Sequence, residues 1–265
     1  MRTIAHSTWL GWHLLPTILT IAAGVLLLLH GPIVQPAHYN DFADRSVLFG
    51  IPHAGDVLSN LGFAMVAAWG WIRLHPKRDH AALARGWCGY RLFLIGLLLT
   101  AVGSAYYHLA PDNERLVWDR MPIGLAAVGL LAAVRAETRS DTHASRYAAI
   151  LVVLAFLSVG WWYYTDSPQQ PGDLRPYLLL QTLPLVLVPL WQAIYGTSHR
   201  DRVWFGVAVL LYVLAKLAEV WDHELLATLG WISGHTLKHL LAAAAAGVLI
   251  GRLSQRLREP SGSVS

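Results

Sequence analysis

The chain has 265 residues, 55% of them hydrophobic and only 14% charged, with a mean hydropathy of +0.44 and a formal net charge of +4. A soluble domain carries about 25% charged residues, so this composition excludes an ordinary soluble protein and points to a bilayer. The single cysteine, Cys88, excludes an intramolecular disulfide framework and any cysteine-based metal cage.

Apolar runs of about 20 residues mark membrane-spanning helices, and the sequence predicts eight. The first, 10–29, ends in LLLLHGPIVQ without a small-x-small cleavage site, so it reads as a retained helix rather than a signal peptide. The second covers 55–75 and stops at the polar separator HPKRDH. The third and fourth, 91–109 and 117–136, enclose the polar stretch GSAYYHLAPDNERLVWDRMP. The fifth, 146–165, and the sixth, 177–195, are parted by SPQQPGD; the seventh, 203–222, follows GTSHRDR, and the eighth is 234–253. Internal Pro and Gly are tolerated in such helices more than in soluble ones. The expected fold is an all-α polytopic bundle. The final LREPSGSVS reads as a disordered tail.

Lys and Arg are distributed unequally between the two ends of these spans. With the N-terminus cytoplasmic, fourteen of the twenty fall on one side: Arg2, Arg73, Lys77, Arg78, Arg85, Arg91, Arg135, Arg139, Arg146, Arg200, Arg202, Arg252, Arg256 and Arg258. Only Arg45, Arg115 and Arg175 lie on the other. By the positive-inside rule both termini are expected in the cytoplasm. The basic pI is then a topology signal, not a nucleic-acid footprint.

Ionisable groups inside spans are costly and are default functional candidates. Four clusters qualify: Ser104 with His108, Asp119 with Arg120, Lys216 with Glu219 and Asp222, and His235 with His239. All of them fall in the same, non-cytoplasmic half of the bilayer. Residues at i and i+4 share a helix face, so SAYYH stacks Ser104 on His108 and HTLKH stacks His235 on His239. Two such His can reach one metal ion. A third from a neighbouring helix completes the open three-His arrangement of catalytic zinc, which brings a water's pKa to about 7. Asp119 is then placed to move the water's proton, and Ser104 to donate to a developing oxyanion.

Blander readings compete at each position. Thirteen His in 265 residues produce HxxxH spacings by chance. His6, His13, His30, His75 and His199 sit near membrane boundaries, and His143 and His223 read as loop residues. Asp119 and Arg120 could simply pair with each other. Lys216, Glu219 and Asp222 share a helical face and suit a supporting ion-pair network. Lys238 lies on a different face from the two His and suits an acidic partner on a neighbouring helix. Tyr106, Tyr107, Trp161 and Trp162 fit an aromatic belt.

SAYYH, an Asp eleven residues after its His followed by RMP, and a late HTLKH resemble the three signature motifs of the alkaline ceramidase family. The wider superfamily includes progestin and adipoQ receptors and haemolysin III-like proteins. NDFADRSVLFGIPHAGDVLSNLGFAM supports the ceramidase branch, in particular its bacterial members: DFAD resembles that family's Asp-Trp-x-Glu segment and SN the start of its first core helix. The likeness divides the chain into an N-terminal helix and linker (1–37), a seven-helix hydrolase core (38–255) and a tail (256–265).

The resemblance implies zinc on His108, His235 and His239, with Asp119 positioning and deprotonating the water and Ser104 assisting. It also implies a ceramide-like membrane lipid as substrate, cleaved at its amide to a sphingoid base and a fatty acid. The setting implied is an inner membrane, if the source is bacterial, with the site toward the non-cytoplasmic side. Neither a nucleic acid nor a protein partner is expected. Eukaryotic members hold calcium in the segment before the first core helix. Asp41 and Asp44 match its acidic positions, but Ser46 and His53 depart from the pattern, so Asp41, Asp44 and Asp56 could instead cap and orient that loop. Two other readings stay open: a hydrolase of a different acyl amide or ester, and a receptor-like or pore-forming protein without turnover. A haem-binding bundle is disfavoured, because its ligands should face each other across the membrane at two depths.

Overall fold

The structure, a computed structural model, describes residues 2–139, 143–167 and 169–259, with side chains from residue 12 onward. The chain is an all-α bundle with eight helices long and apolar enough to cross a membrane. In chain order they are α1 (Arg2–His30), the broken pair α2 (Ala54–Ser59) and α3 (Leu61–Leu74), α4 (Trp87–Leu109), α5 (Asn113–Arg139), α6 (Ala144–Thr165), α7 (Arg175–Ile194) and α8 (His199–Val220). The short α9 (Asp222–Leu229) leads into α10 (Gly234–Arg256). Large apolar side chains such as Leu26, Leu29, Met65, Ile72, Val102, Leu157 and Val220 are exposed around the bundle. Such a surface is tolerable only against lipid.

All eight predicted spans are present. The differences lie between them. A two-residue hairpin, β1 (Val47–Leu48) with β2 (Ile51–Pro52), turns through Phe49 and Gly50, both at positive φ. Two-residue strands have no period that a sequence pattern can register. The helix α9 occupies what reads as a loop and ends at Gly230 in the left-handed conformation. The segment expected to be a tail from 256 is held as far as Glu259: Arg256 ends α10 and pairs with Glu137, and Glu259 pairs with Arg252 at 2.5 Å. Residues 260–265 lie outside the described residues.

The α4–α5 hairpin is the centre of the bundle. On α4, Gly89, Gly96 and Gly103 recur every seven residues on the face turned to α5. A Cβ at Gly96 would lie 2.5 Å from the Ala126 nitrogen, and one at Gly103 2.0 Å from the Trp118 carbonyl oxygen. Glycine therefore lets the two backbones touch, as small residues do in membrane packing. Asp112 accepts from the Arg115 N–H at 2.7 Å and caps α5, so only 110–112 separate the two helices. The result is that Ser104 and His108, at the end of α4, and Asp119, near the start of α5, lie at one end of the hairpin. Gly103→Ala is expected to lower the melting temperature by overpacking, at a cost of about 1–3 kcal/mol. An unchanged melting temperature would contradict the close approach.

α3 and α10 pack on one side of this hairpin, α6 and α7 on the other, and α8 lies against α10. α1 stands apart, packed against α7. Arg175 caps the end of α1 through the carbonyl of Leu27 at 3.3 Å and pairs with Asp173 at 2.8 Å. Burial opposes ionisation of Asp173. Hydrogen bonds from the Arg175 and Trp161 side chains and from backbone N–H groups outweigh it and hold the carboxyl at about 2. Its stabilisation is therefore complete above the ordinary carboxyl value of about 3.9 and fades as pH falls toward about 2. The melting-temperature gap between wild type and Asp173→Asn should be constant from about pH 5 upward and narrow below about pH 4.

Candidate metal centre and lipid cavity

α4 delivers His108 and α10 delivers His235 and His239 one turn apart, to one end of the bundle. All three are buried, and one ring nitrogen from each lies within 4.8 Å of the others. The ring centroids are 4.7 to 5.0 Å apart. Among the described residues this is the group of three or more His, Cys, Asp or Glu that could hold a metal. The three His named from the sequence are thus brought together as expected.

The surroundings fit a metal. His108 is 1% exposed, yet neither Nδ1 nor Nε2 has a hydrogen-bond partner. A buried polar atom left unmet costs about 1–3 kcal/mol, which coordination would relieve at one nitrogen. The Nδ1 of His239 lies 2.8 Å from the Ser59 hydroxyl and 3.1 Å from the Asp56 carbonyl, fixing the ring and leaving Nε2 toward the cluster. Three nitrogen donors without a thiolate suit zinc, with one position left for water.

That anchor explains the break between α2 and α3. The Asp56 carbonyl is taken by the Ser59 hydroxyl and the Asn60 amide as well as by His239. The Asn60 N–H turns instead to the Val57 carbonyl at 3.3 Å, and the regular ladder is interrupted. The Asp56 carboxylate accepts from Ser233 at 3.0 Å and Thr236 at 2.7 Å, tying the first turn of α10 to α2. Phe42 wedges edge-on against His108 and His235, with centroids 4.5 and 4.4 Å away. Sequence reasoning missed Phe42, Ser59 and the role of Asp56. The available signal was Asp56 itself, the one acidic residue within its predicted span.

Asp222 leaves the network proposed for it. Its carboxylate accepts from the His235 N–H at 2.7 Å and the Ala43 N–H at 2.8 Å, so it joins the N-terminus of α10 to the 41–45 loop. The reason is the break between α8 and α9, which takes Asp222 off the face that carries Lys216 and Glu219. Lys238 replaces it: Glu219 holds Lys216 and, at 2.6 Å, Lys238. Lys238 thereby finds the acidic partner on a neighbouring helix, and it also donates to His235 Nε2 at 3.2 Å.

Asp41 and Asp44, matched above to a calcium-holding segment, have partners of their own. Asp41 pairs with Arg45, and both are exposed. The Asp44 carboxylate is already filled by backbone donors, from Ser46 at 2.9 Å and Asp56 at 3.1 Å, so it caps α2. Burial resists its ionisation, but these hydrogen bonds prevail and hold the carboxyl below its usual value. The two acids belong to no metal-holding group among the described residues. Asp41 and Asp44 orient the loop.

Asp119 and Ser104 stand outside the imidazole cluster. Both are buried, 6% and 2% exposed. The anticipated Asp119–Arg120 pair is not formed: Arg120 turns to Gln35 at 2.7 Å, because adjacent helix positions project about 100° apart. Ser104, Asp119 and His239 line the polar end of a cavity of about 290 Å³ enclosed by α3, α4, α5, α7, α8 and α10. Its remaining wall is largely apolar, including Phe93, Leu97, Ile123, Leu185, Phe205 and Leu249. Along α10 it runs from His239 to Leu249, roughly 15 Å of helix. No family model matches the chain, and no curated protein is significantly similar to it.

Proposed function

We propose that this chain is a zinc-dependent amidohydrolase of the alkaline ceramidase type, cleaving the N-acyl bond of ceramide-like membrane lipids to a sphingoid base and a fatty acid. The observation that carries the reading is the buried three-imidazole cluster beside Asp119 and Ser104, at the polar end of an apolar cavity. The motif residues SAYYH, Asp119 and HTLKH support it independently, since their resemblance to that family names the residues that meet here.

His108, His235 and His239 would hold the ion, which supplies Lewis-acid chemistry and makes a nucleophile of water near neutral pH. The chain's own residues do the rest. The apolar cavity takes the acyl chain and excludes bulk water. Asp119 accepts a proton from the attacking water as the new C–O bond forms, then returns it to the amine nitrogen as the C–N bond breaks. The Ser104 hydroxyl donates to the carbonyl oxygen as charge develops there. No covalent acyl-enzyme is required. By the Lys and Arg asymmetry the site opens toward the non-cytoplasmic side, where the headgroup resides.

The test is ceramide hydrolysis by the purified protein in detergent, with and without chelator. Chelator-sensitive release of fatty acid is expected. Absence of turnover of any acyl amide by the zinc-loaded protein would favour a receptor-like protein instead.

A further inference from the structure

We propose that Arg120 is a recognition site for an oxyanion on the substrate, so that the preferred acyl amides carry a carboxylate or phosphate near the amide. The inference rests on the hydrolase reading above and, within it, favours anionic acyl amides over a neutral ceramide.

Arg120 follows Asp119 on α5, lines the same cavity and is 3% exposed. Only Nη2 has a hydrogen bond, to Gln35; Nε and Nη1 have none. Among the described residues no carboxylate pairs with it. Lys216 and Lys238 each meet a carboxylate, both through Glu219. A guanidinium is charged at any physiological pH, and burying one without a counter-charge is strongly unfavourable. The rings of Trp162, Tyr39 and Tyr177 lie 4.0, 5.1 and 5.5 Å from its central carbon and offset part of this. They supply no oxygen acceptor to the two idle N–H groups, and the Trp162 indole N–H is itself unpartnered.

The charges along the cavity wall agree. Arg120, Lys216 and Lys238 stand against Asp119 and Glu219, an excess of one positive charge that a divalent ion on three neutral imidazoles would increase. A neutral headgroup leaves Arg120 unanswered; an oxyanion satisfies charge and donors together. Asp119 lines the cavity with Ser104 of α4, whereas Arg120, projecting about 100° away, meets Tyr177 on α7 and the 35–39 linker. The anion therefore sits beside the scissile amide, not on it.

The experiment measures binding to the zinc-loaded full chain in neutral detergent of three amides with one chain length: N-dodecanoylglycine, N-dodecanoylphosphoethanolamine and N-dodecanoylethanolamine. At least one anionic amide should bind tenfold or more tightly than the neutral one, and which one does so separates carboxylate from phosphate. Arg120→Gln should reduce the preference to about twofold or less, with zinc retained. A preference that survives Arg120→Gln, or no preference in the wild type, overturns the proposal. Should Arg120→Gln fail to fold, His239→Ala with its metal removed decides: a preserved preference supports the site, and a lost one assigns the anion to the metal. Turnover is scored in parallel. Hydrolysis without anion preference removes the Arg120 site alone, whereas anion preference without hydrolysis of any amide removes the hydrolase reading and leaves the site.

Discussion

Asp119→Asn is expected to retain about one zinc per chain while lowering kcat for acyl-amide hydrolysis by about 10²–10⁴-fold. The imidazole cluster does not include Asp119, so the metal should stay. An amide of the same shape cannot take up a proton. KM should change little, because the acyl chain is held by the apolar cavity wall and not by this carboxyl. Elemental analysis beside steady-state kinetics checks both halves. A variant that lost zinc and activity together would make Asp119 a structural or ligating group, and one with wild-type kcat would remove it from the chemistry.

His108→Ala has the second large effect, and its readout needs no substrate. The substitution removes one of the three clustered imidazoles and, with it, two ring nitrogens that have no partner in the fold. Zinc should raise the melting temperature of the wild type, since a ligand present at a hundred times its Kd adds about 2.7 kcal/mol. It should leave His108→Ala unmoved. Changes behind a metal ligand already cost about 10–100-fold in affinity, so Ser59→Ala is expected to give a smaller, intermediate shift through His239. An equal response to zinc in wild type and His108→Ala would place the metal elsewhere or remove it.

Much of this architecture is legible along the chain because spanning a bilayer is a local requirement. Each helix must satisfy its own backbone and present about 20 apolar residues to lipid, whatever its neighbours do. The eight spans therefore follow from composition. The site's depth follows too: Ser104 and His108 end one span, Asp119 opens the next, and His235 and His239 open the last, so helix order alone places them at one end. The i,i+4 spacing in HTLKH puts two ligands on one face before any packing is known.

Contacts between distant segments are another matter. Only tertiary structure decides that the Asp56 carbonyl gives up its helical hydrogen bond to hold His239. The same is true of Phe42, which wedges two imidazoles from a loop with no regular period. Asp222 and Glu219 lie three residues apart yet serve different partners, because the chain breaks between α8 and α9. Asp44 shows the converse: an acid matched to a calcium segment accepts N–H groups of the turn it caps. Arg120, adjacent to Asp119 and a natural partner on paper, faces another wall. Sequence determined which polar groups enter the membrane, and at which end, because lipid penalises each helix separately. Which groups meet was settled by the fold, because a hydrogen bond or ion pair depends on a few ångströms and on the direction of a side chain.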